Sequence, residues 1–137
     1  MDLMNVFLSR PLIARLATVS AKTLQPHVVP IWYDWDGESL WISSYRSSRK
    51  IRDLEGNPLA SVVIDVDEAG ADPRAVLFEG RVVLIDTPRP IVEEISARIY
   101  RRYLGAEGVL AAEPQEWLHS PENLLVQLKP SLIKSWK

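Results

Sequence analysis

Residues 75–86 carry the cleanest two-residue period in the chain: Val76, Phe78, Gly80, Val82 and Leu84 fall on one side, Glu79 and Arg81 on the other. That is the pattern of a long half-buried strand. Upstream, IARLATVS (13–20), HVVPIWYDW (27–35) and LWISSY (40–45) are rich in β-branched and aromatic residues, as strands are. Asp36-Gly37 joins the last two as a tight hairpin, because both residues tolerate positive φ. These three segments are expected to form a meander. Pro30 lies inside the second and has no N–H for a ladder, so its position should be an edge, a bulge, or a place where something other than a strand approaches.

Ser47 or Ser48 can cap a short helix over about 48–56, with Ile51 and Leu54 on one face and Gly56-Asn57-Pro58 ending it. A strand is expected at 59–66 (LASVVIDV), followed by an acidic Gly/Ala/Asp/Pro turn at 67–73. Thr87-Pro88 reads as an N-cap with Pro at the first helical position, and Ile91, Ile95, Ile99 and Tyr103 recur every fourth residue. The pattern predicts a helix to about Leu104 that stops at Gly105. A further helical piece over 113–119 and two final strands, 123–129 and 131–136 on either side of Pro130, complete the chain. This order does not alternate strand and helix as a dinucleotide-binding sheet does. A small antiparallel barrel with peripheral helices fits it, as a single domain over 1–137.

Composition narrows the function. The 137 residues hold 16 Lys+Arg, 18 Asp+Glu, two His and no Cys. Lacking Cys, the chain has no disulfide, no thiolate nucleophile and no Cys-ligated zinc or iron–sulfur centre. Two His make a histidine-rich metal site a poor expectation. A pI near 5.7 argues against nucleic-acid binding, which needs a basic face, so any cationic site must be local. No apolar run reaches the ~18 residues of a membrane span. Residues 1–10 have neither the basic start nor the long apolar centre of a signal peptide, and a cytoplasmic address is expected.

The densest chemical feature is Tyr45-Arg46-Ser47-Ser48-Arg49-Lys50-Ile51-Arg52, with four cations and two serine hydroxyls in eight residues at a strand-to-helix junction. Free N–H groups and the positive dipole end at a helix start favour an anion, and Ser, Arg and Lys add charge-assisted bonds. A single phosphate suits such a place. A solvated cationic face paired with Asp53 and Glu55 fits the same residues. No Gly-rich phosphate loop is present. Trp32, Trp35 and Trp41 crowd one hairpin, either as core or interface anchors or as a flat wall for an aromatic ligand. His27 and His119 have no triad-like neighbours in sequence, and neither receives a catalytic role. Glu79, and Glu93/Glu94 spaced from Arg98, read as surface charge and helix-surface pairing.

LATVS (16–20), PHVVPIWYDWDG (26–37), LWISSYRSSRKIRDLEGNP (40–58), FEGRVVLI (78–85) and LKPSLIKSW (128–136), in this order and spacing, resemble the pyridoxamine-phosphate-oxidase-like family of FMN-binding split β-barrels. The resemblance implies a mainly β fold, a six-stranded antiparallel Greek-key barrel, and a homodimer with FMN at the subunit interface. It also implies site roles. Pro30, Ile31, Trp32 and Ile42 would flank the flavin ring, while Ser43, Ser47, Ser48, Arg49 and Lys50 would anchor the phosphate, and no side chain need act as acid or base. The vitamin B6 oxidase itself has arginine and lysine where this chain has His27 and Trp32, and the chain ends at Lys137 before that enzyme's substrate-binding Arg and His. Pyridoxamine phosphate is therefore not the expected substrate. The implied function is flavin-dependent oxidoreduction by hydride transfer, with a small-molecule substrate or NAD(P)H as partner. The alternatives are a deazaflavin-dependent reductase, whose longer anionic tail Arg98, Arg101 and Arg102 could receive although Glu93 and Glu94 partly neutralise them, and a flavin- or haem-binding protein without turnover.

Overall fold

A computed structural model describes residues 2–137. One antiparallel sheet runs in the order β2-β1-β5-β6-β7-β4-β3. Its strands are β1 (Ala14–Val19), β2 (Pro26–Ile31), β3 (Asp34–Trp35), β4 (Leu40–Tyr45), β5 (Leu59–Asp65), β6 (Ala75–Ile85) and β7 (Asn123–Trp136). Helices α1 (Leu3–Leu8), α2 (Arg49–Gly56), α3 (Arg89–Gly108) and α4 (Ala112–His119) surround it. Among the described residues the strands therefore number seven, where the family resemblance implied six. Among the described residues, no helix is long and apolar enough to cross a membrane.

The single strand expected over 27–35 is in fact two. β2 forms one edge of the sheet and β3 the other, with only Trp32 and Tyr33 between them. Three Cα steps reach at most roughly 11 Å, so the two edges must curl toward each other. The result is a barrel with a split along the β2 and β3 edges. Pro30 sits on an edge strand paired with Arg15 of β1, where its missing N–H costs no ladder bond. The hairpin at Asp36-Gly37 forms as expected: Gly37 has φ 98°, and Asp36 Oδ1 accepts from the N–H groups of Glu38 and Ser39 at 2.8 and 2.7 Å.

β7 is continuous through Pro130, contrary to the expected break. A bulge opposite Glu79 and Gly80 absorbs the proline. Gly80 is required there, since a Cβ would lie 2.3 Å from the Lys129 carbonyl oxygen.

Alternation on β6 puts Val76, Phe78 and Val82 into a core with Leu16, Val62, Ile64, Ile42 and Val126, and α1 and α2 close it with Leu8, Ile51 and Leu54. A second cluster packs α3 and α4 on the other face of β4 and β7, through Trp41, Leu125, Val92, Ile99, Tyr100 and Leu118. The buried stripe of α3 is thus Val92, Ser96, Ile99 and Tyr100, and Ile91 is exposed, one turn position away from the expected stripe. Gly105 interrupts α3 with φ 83°, in the left-handed region that favours glycine, so the expected stop is a kink. α1 was not anticipated. Tyr33 holds it from below, donating its hydroxyl toward the Leu8 and Arg10 carbonyls at 3.0 and 3.1 Å.

Candidate functional site

The split leaves a cleft of about 240 Å³ lined by Pro30, Ile31, Trp32, Ser43, Lys50, Ile99 and Tyr100. The edge strand β2 supplies one wall, β4 and α3 another, and the first turn of α2 a cation. Five of the nine residues expected at a site therefore meet here: Pro30, Ile31, Trp32, Ser43 and Lys50. The other four do not line it. Ile42 is 1% exposed in the barrel core, because successive residues of β4 face opposite sides and Ser43 takes the outward one. Ser47 is exposed. Ser48 precedes α2 but makes no side-chain cap bond, and its hydroxyl donates back to the Tyr45 carbonyl at 2.7 Å. Arg49, one helical step from Lys50, opens on a neighbouring cavity of about 420 Å³ with Lys22, Thr23 and Arg52.

Lys50 is the main electrostatic feature of the cleft. Its ammonium is half-buried, and burial lowers its pKa from the ordinary lysine value by disfavouring the charged form. Among the described residues it has no carboxylate within 4.0 Å. Arg46 is instead paired with Asp86 and, at 3.9 Å, with Glu55, while Asp53 is buried and accepts from Thr18 Oγ1 at 2.9 Å. The four cations of the run thus separate into a paired surface residue, Arg46, two that line the neighbouring cavity, Arg49 and Arg52, and an unpaired one turned into a cleft, Lys50. A cation held out of water without a counter-charge favours an incoming anion, and the uncapped amides of the first turn of α2 add donors nearby.

The aromatic wall is built from several mutually packed rings. Trp32 stacks on Tyr103 with centroids 4.7 Å apart and planes 5° from parallel, and meets Tyr100 and Trp117 edge-on at 6.3 and 6.5 Å. The other two tryptophans of the hairpin are anchors elsewhere. Trp35 packs on Phe78 and donates to Asn5 Oδ1 at 2.8 Å, and Trp41 is buried and donates to Asp36 Oδ2 at 2.8 Å.

The basic groove expected along α3 is mostly committed to structure. Arg98 Nε donates to Asp34 Oδ2 at 2.8 Å, which replaces the expected pairing with Glu93 or Glu94, and Glu93 meets His119 at 3.1 Å instead. Arg102 donates to the Tyr33 and Arg10 carbonyls at 2.9 and 3.0 Å. Arg98 and Arg101 are both exposed, and of the three Arg101 is the one without a carboxylate partner among the described residues. Cations outside the cleft gather instead at Lys22, Arg49 and Arg52.

Sequence reasoning missed Tyr100 and Lys22. A stripe counted at spacings of three and four from Val92 reaches Ser96, Ile99, Tyr100 and Tyr103, and would have placed Tyr100 on the sheet-facing side of α3. Lys22 lies in the turn between β1 and β2, and only the folded chain brings it to α2.

A curled antiparallel barrel split along one edge, with a half-buried cation and a stacked aromatic wall at the split, defines a class of small barrels suited to a flat ligand with an anionic tail. The whole chain, residues 1–137, matches the model of the pyridoxamine 5'-phosphate oxidase family, and it belongs to that family. Comparison with curated proteins finds no match. Among solved structures, an F420 reductase is similar at 23% identity, covering 95% of this chain and 94% of that one with a TM-score of 0.74. A conserved hypothetical protein from Mycobacterium tuberculosis gives 23% identity, 100% and 85% coverage and a TM-score of 0.78. The haem storage protein HutZ from Vibrio cholerae gives 20%, 98% and 95%, and 0.75. At such identities the likeness is one of fold.

Proposed function

We propose that this chain binds FMN in the cleft between β2, β4 and α3 and acts as a flavin-dependent oxidoreductase, assembled as a homodimer. Lys50 carries the proposal: an unpaired, half-buried cation beside a stacked tryptophan is a costly arrangement in an isolated fold, and a phosphorylated aromatic ligand relieves it. Trp32, Ile31 and Pro30 would bound the ring, and Lys50 with the amides of α2 would hold the phosphate. FMN supplies hydride chemistry at its ring when bound. The chain's own task is to orient the ligand and keep water from one side of it. Tyr100 stays protonated at neutral pH, since burial raises its pKa, and no carboxylate or imidazole lines the cleft.

Two features support a second copy of the chain. The cleft's 240 Å³ is below the roughly 300–1,000 Å³ of a complete ligand pocket, which supports a site completed by a second chain. The outward face of β1, β5, β6 and the end of β7 is not covered by a helix and shows Leu59, Leu132 and Trp136, each more than 40% exposed. Exposed apolar side chains of this kind support association through this face.

One observation favours a deazaflavin as the second reading. Lys22, with Arg49 and Arg52 on the first turn of α2, offers cations to a longer anionic tail. Parallel fluorescence titrations with FMN and with the deazaflavin F420 separate the two, and steady-state reduction of the bound cofactor by NADH or NADPH separates turnover from storage. FMN is expected to bind at micromolar affinity or better, roughly −8 kcal/mol. Tighter binding of F420 would move the assignment to a deazaflavin reductase, and binding of neither would refute both.

A further inference from the structure

Behind the cleft lies a hydrogen-bond network whose proton directions are fixed. Asn123, 1% exposed, directs Nδ2 at the Leu118 carbonyl at 3.3 Å and at Ser96 Oγ at 3.0 Å. A carbonyl only accepts, so the amide cannot be flipped and Oδ1 must face Ser43. Ser43 Oγ therefore donates to Asn123 Oδ1 at 2.6 Å. A hydroxyl has one proton, and that proton is now used. Ser96 Oγ donates to Ser43 Oγ at 3.1 Å, and the remaining contact of Ser43, to the Tyr100 hydroxyl at 2.9 Å, must run from Tyr100 to Ser43. Ser43 is left with one bond donated and two accepted, and no capacity toward the cleft. Tyr100 in turn has given its proton inward and keeps lone pairs only.

We propose that Tyr100, and not Ser43, is the residue by which the cleft recognises the polar middle of its ligand, and that it does so solely as a hydrogen-bond acceptor. The inference rests on the flavin reading given above. Tyr100 meets the ring wall, edge-on to Trp32 at 6.3 Å, and shares the same small cleft with Lys50, so the stretch of ligand that joins ring to phosphate is the part assigned to Tyr100. In FMN this is the ribityl chain, whose hydroxyls are donors. A ring carbonyl or a phosphate oxygen, being an acceptor, is rejected by Tyr100.

The test is Tyr100→Phe, which keeps the ring and removes only the oxygen, measured by titration with FMN, riboflavin and lumiflavin, the last by competition. One neutral hydrogen bond lost corresponds to about a 5- to 10-fold weakening. The expected result is that loss for FMN and riboflavin equally, with lumiflavin, which lacks the ribityl chain, unchanged. Weakening of FMN alone would place Tyr100 on the phosphate, an equal loss for all three would place it on the ring or reflect damage to the cleft, and no loss would remove it from recognition. Each of these overturns the proposal. A second measurement reads the network without any ligand: the Tyr100 hydroxyl proton of the parent protein should exchange slowly and show a contact to Ser43 by NMR. A Tyr100 proton directed elsewhere overturns the acceptor assignment. If that contact is present and the parent titrates with no flavin, the flavin reading has failed while the acceptor assignment stands for some other hydroxyl-bearing ligand.

Discussion

Replacing Lys50 by Met separates binding from folding. The substitution keeps an unbranched apolar stem of similar reach and removes the ammonium, so the apolar lining of the cleft changes little. In the free protein that ammonium is half-buried and has no carboxylate partner among the described residues. Its loss is therefore expected to leave the urea midpoint unchanged or slightly raised. Binding should respond in the opposite direction. A charge-assisted bond is worth about 1.5–3 kcal/mol, and at 1.4 kcal/mol per decade this is a ~10- to 150-fold weakening toward FMN. Riboflavin, without the phosphate, should bind parent and variant equally.

The pH dependence gives an independent check with a definite sign. Burial lowers the Lys50 pKa, and a bound phosphate raises it again, so above the lowered pKa binding must take up a proton. FMN affinity of the parent should fall as pH rises from that lowered value toward the ordinary lysine value of 10.5. In the same window the ligand-free fold gains stability with pH, because the unfolded chain holds the proton that the folded one has released. Both slopes should be absent in Lys50→Met. If the variant binds FMN as tightly as the parent, or retains the alkaline loss of affinity, the anion site has been placed on the wrong residue.

Three further outcomes are expected. Light scattering should give about twice the 15.5 kDa chain mass, and Leu132→Asp, which sets a carboxylate opposite Glu79 on the uncovered sheet face, should shift it toward the single-chain mass. Asn123→Ala strips Ser43 and the Leu118 carbonyl of buried partners, and should cost about 2–3 kcal/mol by urea denaturation. Gly80→Ala would bring a methyl group against the Lys129 carbonyl oxygen, and the backbone shift this forces should cost about 1–3 kcal/mol or more; an unchanged midpoint would mean that the bulge does not need glycine.

What was legible in the sequence is what short-range chemistry determines. The alternation of Val76, Phe78 and Val82, the turn at Asp36-Gly37 and the edge position of Pro30 each follow from one local rule, and the fold keeps all of them. The misses share a different cause. Trp32 and Tyr33 have strand-like composition, yet they leave the sheet because the chain must cross from one edge of a curled barrel to the other, a demand that closure makes and no local window contains. β7 runs through Pro130 because Gly80, fifty residues upstream, gives way at that point. Helix α3 turns Ile91 outward because a row counted strictly every fourth residue drifts about 40° per step, so Ile91 and Tyr103 cannot share one buried face, and the stripe that packs is Val92, Ser96, Ile99 and Tyr100.

The candidate site divides along the same line. The run Ser47–Lys50 announced an anion-binding helix start, but residue type alone could not tell Arg49 from Lys50. Adjacent helical residues point about 100° apart, so at most one of two neighbours can enter a narrow cleft. The fold turns Lys50 inward and leaves Arg49 beside Lys22 and Arg52. Ser43 shows the reverse limit: expected to anchor a phosphate, it lines the cleft from β4, and its hydroxyl proton is nonetheless consumed by Asn123, eighty residues away. A polar residue's place in a sequence motif indicates where its side chain points. Whether it has a hydrogen bond left to offer depends on partners that only the tertiary structure assembles, and in this chain that transfers the polar contact of the cleft from a serine on the sheet to a tyrosine on the helix above it.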